Sequence, residues 1–277
     1  MARKRKNKAA ADSPNPKVAL RWALRLLPVA VLLVVTVMIF QRIEAFLIED
    51  ARFRLGAAEE YGATSPNIRV HGVVNASTDR ILKVFSEDTG RSLYLFPQAE
   101  RRRRLLAVNW VKDAAVSRIW PNRVEVLIHE RKPVAFVRVA KRGRRSRALL
   151  IDQDGVLLKP PAKSRYDLPV LVGVDQQQSE PMRSIRVRRA MNMLAELGPL
   201  AADISEIDVS DQNSLTISQS VAGRSVVLML GHQNFRRRLE NFLAHYPEIQ
   251  RRLPAARTFD LRLDDRITAI DGVNRKG

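Results

Sequence analysis

The chain has 277 residues, 45% of them hydrophobic, no cysteine, and a formal net charge of +19. Without cysteine, disulfides and thiolate metal sites are excluded, so any folded part is held by its core alone. The hydrophobic content excludes a disordered stalk, and the length outside a tail and an anchor suits one large or two modest domains.

Residues 1–22 are expected to be a basic cytoplasmic tail, disordered over 1–17, followed by a transmembrane helix over residues 23–43. Leu26 to Phe40 is an uncharged apolar run. At ~1.5 Å per residue it covers roughly 22 Å, short of a ~30 Å hydrocarbon core. Trp22 suits the headgroup level, and Arg25 and Arg42 can snorkel from either end to close the gap. Pro28 lies near the start, where a missing N–H costs little, and Phe40 closes the run. Eight cations against Asp12 precede the run, whereas acids outnumber cations just after it. Positive charge stays inside, so the N-terminus is expected in the cytoplasm and the bulk of the chain in the periplasm. A cleaved signal peptide and a buried core helix are the alternatives. Gln41-Arg42-Ile43-Glu44 offers no small-residue cleavage site, and the run is apolar all round, so an uncleaved anchor is favoured.

Residues 44–66 are expected to link the anchor to a first domain over 67–134. Ile68 and Val70 suggest a strand. Ser77 can cap a helix carrying Ile81 and Phe85, and Pro97 opens a second helix to about Leu106. Val111 to Ile119 and the alternating Val124, Val126 and Ile128 predict two strands joined at Trp120-Pro121-Asn122. The order is β-α-α-β-β.

A second domain is expected over 135–272, with 273–277 as a tail. It begins with a strand from Ala135 to Val139 and a basic loop from Lys141 to Arg147. A hairpin follows around Asp152-Gln153-Asp154-Gly155, then a strand over Leu168 to Val172. A helix from about Met182 to Leu197 should bury Val187, Ala190, Met191, Leu194 and Leu197. Three strands around Ile204, Leu215 and Val226 suggest a meander. The spacing of Phe235, Leu239, Phe242, Tyr246 and Ile249 predicts a last helix. Phe259, Leu261 and Leu263 alternate with charged residues, predicting a strand or hairpin that reaches about Ile270.

Chemistry is sparsely represented. His71, His129, His232 and His245 lack ligand spacing, so no metal site is expected, and no phosphate-binding loop, nucleophile elbow or other cofactor motif occurs. Asp152 and Asp154 with Gly155 suit a hairpin turn better than a calcium loop. Asp203, Glu206 and Asp208 are the carboxylates from which glycan cleavage could be built. Arg101 to Arg104 cannot share a helix face, so some of their stems must pack on the core. The basic runs suit a solvated face, or a lipid or acidic-partner site. No aromatic residues interleave with them, and nucleic acid is not expected.

The ordered set of motifs resembles the FtsQ/DivIB family of bacterial cell-division proteins. Ile68-Arg69-Val70-His71-Gly72, Leu93-Tyr94-Leu95-Phe96, Arg118-Ile119-Trp120-Pro121, Glu130-Arg131-Lys132-Pro133, Leu150-Ile151-Asp152 and Phe259-Asp260-Leu261-Arg262 carry the likeness. The resemblance implies an α+β fold: a single-pass anchor, a POTRA domain, then a β-rich domain with two helices. It implies a non-enzymatic scaffold at the division septum of the inner membrane, with no cofactor and no small-molecule substrate. The POTRA domain would serve recruitment to the division site. FtsB- and FtsL-like partners would pair with an exposed sheet edge. The edge residues implied are Phe259, Leu261, Leu263, Arg266, Ile267 and Ala269. Where family members carry aromatic residues near this strand, Leu263 and Ile267 imply an aliphatic contact. A membrane-anchored protein that binds or cleaves cell-wall glycan is the alternative.

Overall fold

The computed structural model describes residues 16–56, 67–141, 144–162 and 164–270, which form two units. The tails at 1–15 and 271–277 and residues 57–66 of the expected linker lie outside the described residues.

The first unit comprises the chain up to His71 together with Asp79–Arg104 and Ala115–Leu127. Helix α1 spans Pro16–Glu49. It starts before residue 23, inside the expected tail, because proline is tolerated at the first helical position and no breaker follows before Pro28. Its Arg25–Glu49 part is long and apolar enough to cross a membrane, and none of its most apolar stretch is buried against protein. Beyond a 3-10 turn at Ala51–Phe53 comes β1 (Ile68–His71), parallel to β3 (Arg123–Glu130). Strand β2 (Val111–Ile119) completes a three-stranded sheet in the order β1-β3-β2. Helix α2 (Thr78–Lys83) presents Ile81 inward, and α3 (Gln98–Leu106) presents Arg101 and Leu105. Within this unit Leu55, Ile68, Ile81, Phe85, Leu93, Phe96, Val124 and Val126 are buried. Phe85 stacks on Phe96, with ring centroids 6.2 Å apart. Of the four arginines of α3, Arg101 is buried and forms a two-pronged pair with buried Asp88, Nε to Oδ2 at 2.7 Å and Nη2 to Oδ1 at 2.9 Å, while the other three are exposed.

The second unit joins Gly72–Thr78 and Leu105–Ala114 to everything from Ile128 onward. Glu130, at the end of β3, gathers the turn at Val74–Ala76. Its carboxylate accepts backbone N–H bonds from Val74, Asn75 and Ala76 at 2.7–2.9 Å. Burial alone would raise this carboxyl, but the converging N–H donors outweigh it and hold it below the usual range. Gly72 precedes that turn with φ +81°, where a Cβ would lie 2.2 Å from the Ile128 carbonyl oxygen. Trp110 is buried and donates Nε1–H to the Lys159 carbonyl at 3.0 Å. Arg131 donates to Asp152 at 2.7 Å. Asp152 also accepts from the Val156 N–H at 2.8 Å, so this aspartate closes a hairpin turn.

Nine strands form the large sheet, in the order β12-β11-β10-β9-β8-β7-β4-β5-β6. Strands β4 (Pro133–Lys141) and β5 (Arg144–Asp152) pair antiparallel up to Lys141 opposite Arg144. Most of the expected basic loop is therefore strand, because the ladder is made by the main chain, which every residue but proline supplies alike. β6 (Leu157–Leu158) pairs with β5, and β7 (Val170–Val172) runs parallel to both β4 and β8 (Ile204–Asp208). β9 (Leu215–Val221) and β10 (Arg224–Gly231) continue the sheet antiparallel. Their buried residues alternate, Leu215, Ile217 and Val221 opposite the set Val226, Leu228 and Leu230, giving one core-facing side. Helices α4 (Glu180–Leu197) and α5 (Phe235–Arg252) pack their apolar stripes into that core. On α4, Met193 is buried, while Met191 and Leu194 are only partly so. On α5, Phe235, Leu239, Phe242 and Tyr246 are buried.

Candidate partner-binding edge

One end of the large sheet is built by the C-terminal segment. β11 (Thr258–Asp260) runs parallel to β10 after the α5 crossover, and β12 (Thr268–Ala269) folds back antiparallel on β11 as the outermost strand. The register places Phe259 opposite Ala269 and Asp260 opposite Thr268. Ile270 donates its N–H to the Thr258 carbonyl at 2.8 Å. Directly opposed antiparallel residues alternate between bonded and non-bonded pairs. The 258/270 and 260/268 pairs are therefore bonded, and 259/269 is not. It follows that the N–H and C=O of Ala269 point away from β11, toward the free edge. A partner strand could pair there.

The structure separates the six expected edge residues. Phe259 and Leu261 are each 1% exposed. Phe259 lies among Phe242 and Tyr246, with ring centroids at 5.1 and 6.4 Å, so its side chain belongs to the core. The expected alternation stops at Leu261: Leu263 lies in the connection to β12 and is 53% exposed. Arg266 is exposed in the same connection, and Ile267 and Ala269 are half-buried.

Ion pairs shape that connection. Arg238, on the buried stripe of α5, donates Nε–H to Asp264 at 2.7 Å and Nη1–H to the Leu230 carbonyl at 2.6 Å. Asn234 adds a bond to Asp264 at 3.2 Å. Arg262 grips Asp260 through its backbone N–H at 2.9 Å and its guanidinium at 2.6–3.0 Å. The Arg262 guanidinium holds the Asp260 carboxyl below the usual range, and Arg238 does the same for Asp264. Gly231, at φ +77°, gives Arg238 its room: a Cβ there would lie 2.8 Å from Nη1. Two adjoining hollows of about 180 and 380 Å³ lie between α5 and the connection. Arg266, Ile267 and Asn241 line both, Leu263 the first and Ile249 with Leu253 the second.

Sequence reasoning missed Arg238 and Asp264. The available signal was the position of Arg238, a cation inside the stripe Phe235-Leu239-Phe242, which demands a buried acceptor. Elsewhere, the four histidines are exposed, and among the described residues no cluster of His, Asp or Glu could hold a metal ion. Asp203 is exposed, while Glu206 and Asp208 are half-buried on β8, an interior strand of the sheet. Trp120, at the β2–β3 turn, is 49% exposed.

Residues 65–131 match the FtsQ-type POTRA domain, and residues 139–262 match the C-terminal domain of the cell division proteins FtsQ/DivIB. Cell division protein FtsQ of Koribacter versatilis is 31% identical over 92% of this chain and 71% of its own length. The chain belongs to the FtsQ/DivIB family. Other members are more distant. Those of Haemophilus influenzae and Coxiella burnetii are 27% and 25% identical, over 59% and 52% of this chain. The matched stretches span just over half of those two proteins, 58% and 54%. Membership implies a role in cell division, in a family of membrane-anchored, non-enzymatic proteins that act through protein contacts. The apolar helix α1 is consistent with that anchoring.

Proposed function

We propose that this family member is a septal scaffold of the inner membrane, with its N-terminus cytoplasmic and its bulk periplasmic. In this reading it captures FtsB- and FtsL-like partners by strand addition to β12. Residues 67–134 serve recruitment, and residues 135–272 hold the partner. The observation that carries the reading is the outward-facing main chain of Ala269 on the outermost strand, flanked by the hollows at Ile267 and Arg266. A partner strand would gain main-chain bonds at Ala269. Aliphatic side chains beyond it would meet Ile267 and Leu263, and acidic ones Arg266.

The test is binding of the external segment of the host's FtsB-like protein to the full chain in lipid nanodiscs. Ala269→Pro removes one outward donor and leaves the β11–β12 bonds intact, so affinity should fall about 2- to 10-fold, the worth of one net hydrogen bond. Arg266→Glu should weaken binding further and make it less sensitive to salt. Unchanged affinity in both variants, with the fold intact, would refute the edge as the site.

A further inference from the structure

Aromatic side chains lead from the membrane helix to the first unit's hairpin tip. Phe46 of α1 meets Phe53 edge-on at 5.6 Å between centroids, and Phe53 meets Trp120 edge-on at 5.5 Å. The helix end is also fastened by hydrogen bonds. Ser92 Oγ donates to the Leu47 carbonyl at 2.6 Å, and Leu55 donates its N–H to Arg91 at 2.9 Å. The segments so fastened carry apolar side chains in the open: Leu95 is 52% exposed, Ile119 39% and Trp120 49%. Within a soluble domain such exposure beside a fastened turn has no obvious use.

The bilayer supplies one. Phe46 lies 21 residues beyond Arg25, a rise of about 32 Å, so with Arg25 at one face of a ~30 Å hydrocarbon core Phe46 reaches the other face. The headgroup layer adds roughly 5–8 Å on each side. Trp120, two ring contacts from Phe46, then falls at or close to that layer, where tryptophan is most at home. The Arg52 guanidinium sits 5.5 Å from the Phe46 ring centroid but is paired with Asp50 at 2.9 Å, and Arg91, exposed beside the fastened turn, places a further cation at the depth of lipid phosphates.

We propose that the β2–β3 tip, Ile119 and Trp120, and the turn bearing Leu95 rest in the headgroup layer of the bilayer that α1 crosses. The occupant of this apolar surface is lipid, and the first unit is held against the membrane by contacts additional to its anchor. The proposal rests on α1 spanning the membrane.

Because the chain has no cysteine, an introduced one is unique. Full-length chains carrying Ile119→Cys, Val37→Cys or Ser220→Cys would be spin-labelled and reconstituted in vesicles of phosphatidylethanolamine and phosphatidylglycerol. Collisions with oxygen, which favours lipid, are compared with collisions with a water-soluble nickel chelate. The label at 37 should read deep, that at 220 aqueous, and that at 119 intermediate, moving toward the value at 220 when Trp120→Glu is added. A label at 119 as aqueous as that at 220, with 37 deep, overturns the proposal and leaves the anchor standing. A label at 119 shielded from both reagents means a protein surface covers the tip, which also overturns it. An aqueous label at 37 removes the anchor, and the proposal with it.

Discussion

Replacing Arg101 by methionine should unfold the first unit more readily than any single surface change. Both partners of the Arg101–Asp88 pair are 1% exposed. Arg101→Met leaves the Asp88 carboxylate buried with its cation gone, and breaking such a pair from one side costs about 3–5 kcal/mol. For a unit of this size that lowers the midpoint of thermal unfolding by more than about 10 °C. Asp88→Leu should cost less. Arg101 keeps Glu87 at 3.2 Å and Glu100 at 3.8 Å, both partly solvated acids that can move toward it. The double variant buries two apolar side chains in place of two charges and should lose less than the two single losses added together, a coupling of at least about 1 kcal/mol. The assay is thermal unfolding of the full chain in nanodiscs, with amide exchange over 79–104 reporting the first unit separately. A loss below about 1 kcal/mol for Arg101→Met, or strict additivity in the double variant, would refute the assignment of this arginine as a buried, paired charge.

Phe259→Ala should cost about 3–5 kcal/mol in stability, read from urea unfolding, because the ring is packed against Phe242 and Tyr246. Any loss of partner binding in that variant should track its unfolded fraction. Glu130→Gln should destabilise the second unit by about 1.5–3 kcal/mol, since an amide puts a donor where the turn's N–H groups already point. The Glu130 carboxyl is held below its ordinary value, so its contribution is complete above about pH 5 and disappears as pH falls through the lowered folded-state value. Urea midpoints between pH 6 and pH 3 would show this, and the Gln variant should lose that part of the pH dependence. Asp260 and Asp264 are lowered in the same sense, so the connection between β11 and β12 should stay closed above about pH 4 and loosen below it. The Arg238 Nε–H resonance should shift over that range, and a resonance constant from pH 6 to pH 2 would contradict the ion-pair assignment.

Elements whose burial is periodic were legible. The α5 stripe and the alternation Val124, Val126, Ile128 each repeat with the period of the element that carries them, and these residues are buried apart from the half-buried Ile249. Features that depend on a distant partner were not legible. Arg101 stands in a run of four arginines, and nothing local distinguishes it from its neighbours until the turn carrying Asp88 is folded beside it. The strand character of residues 144–147 comes from main-chain pairing with β4, which leaves no mark on a cationic sequence.

The C-terminal edge shows why finding a strand in a sequence does not locate its binding face. Phe259, Leu261 and Leu263 alternate with charged residues, which suits either a continuous strand or a hairpin reaching about Ile270, and the alternation alone does not say where the chain turns. Two ion pairs turn the chain after Leu261: Arg262 is held back on Asp260, and Asp264 is drawn to an arginine 26 residues earlier. The chain returns as β12, and the length of the connection alone decides which of its residues face out, since a shift of one residue would exchange the two sets. With Thr268 bonded inward to Asp260, a proline at 268 breaks the hairpin itself, whereas a proline at 269 removes only what a partner could use. Thr268→Pro should therefore lose stability and binding together, and Ala269→Pro binding alone. Were the two variants to exchange these outcomes, the register of β12, and with it the face offered to a partner, would be reversed.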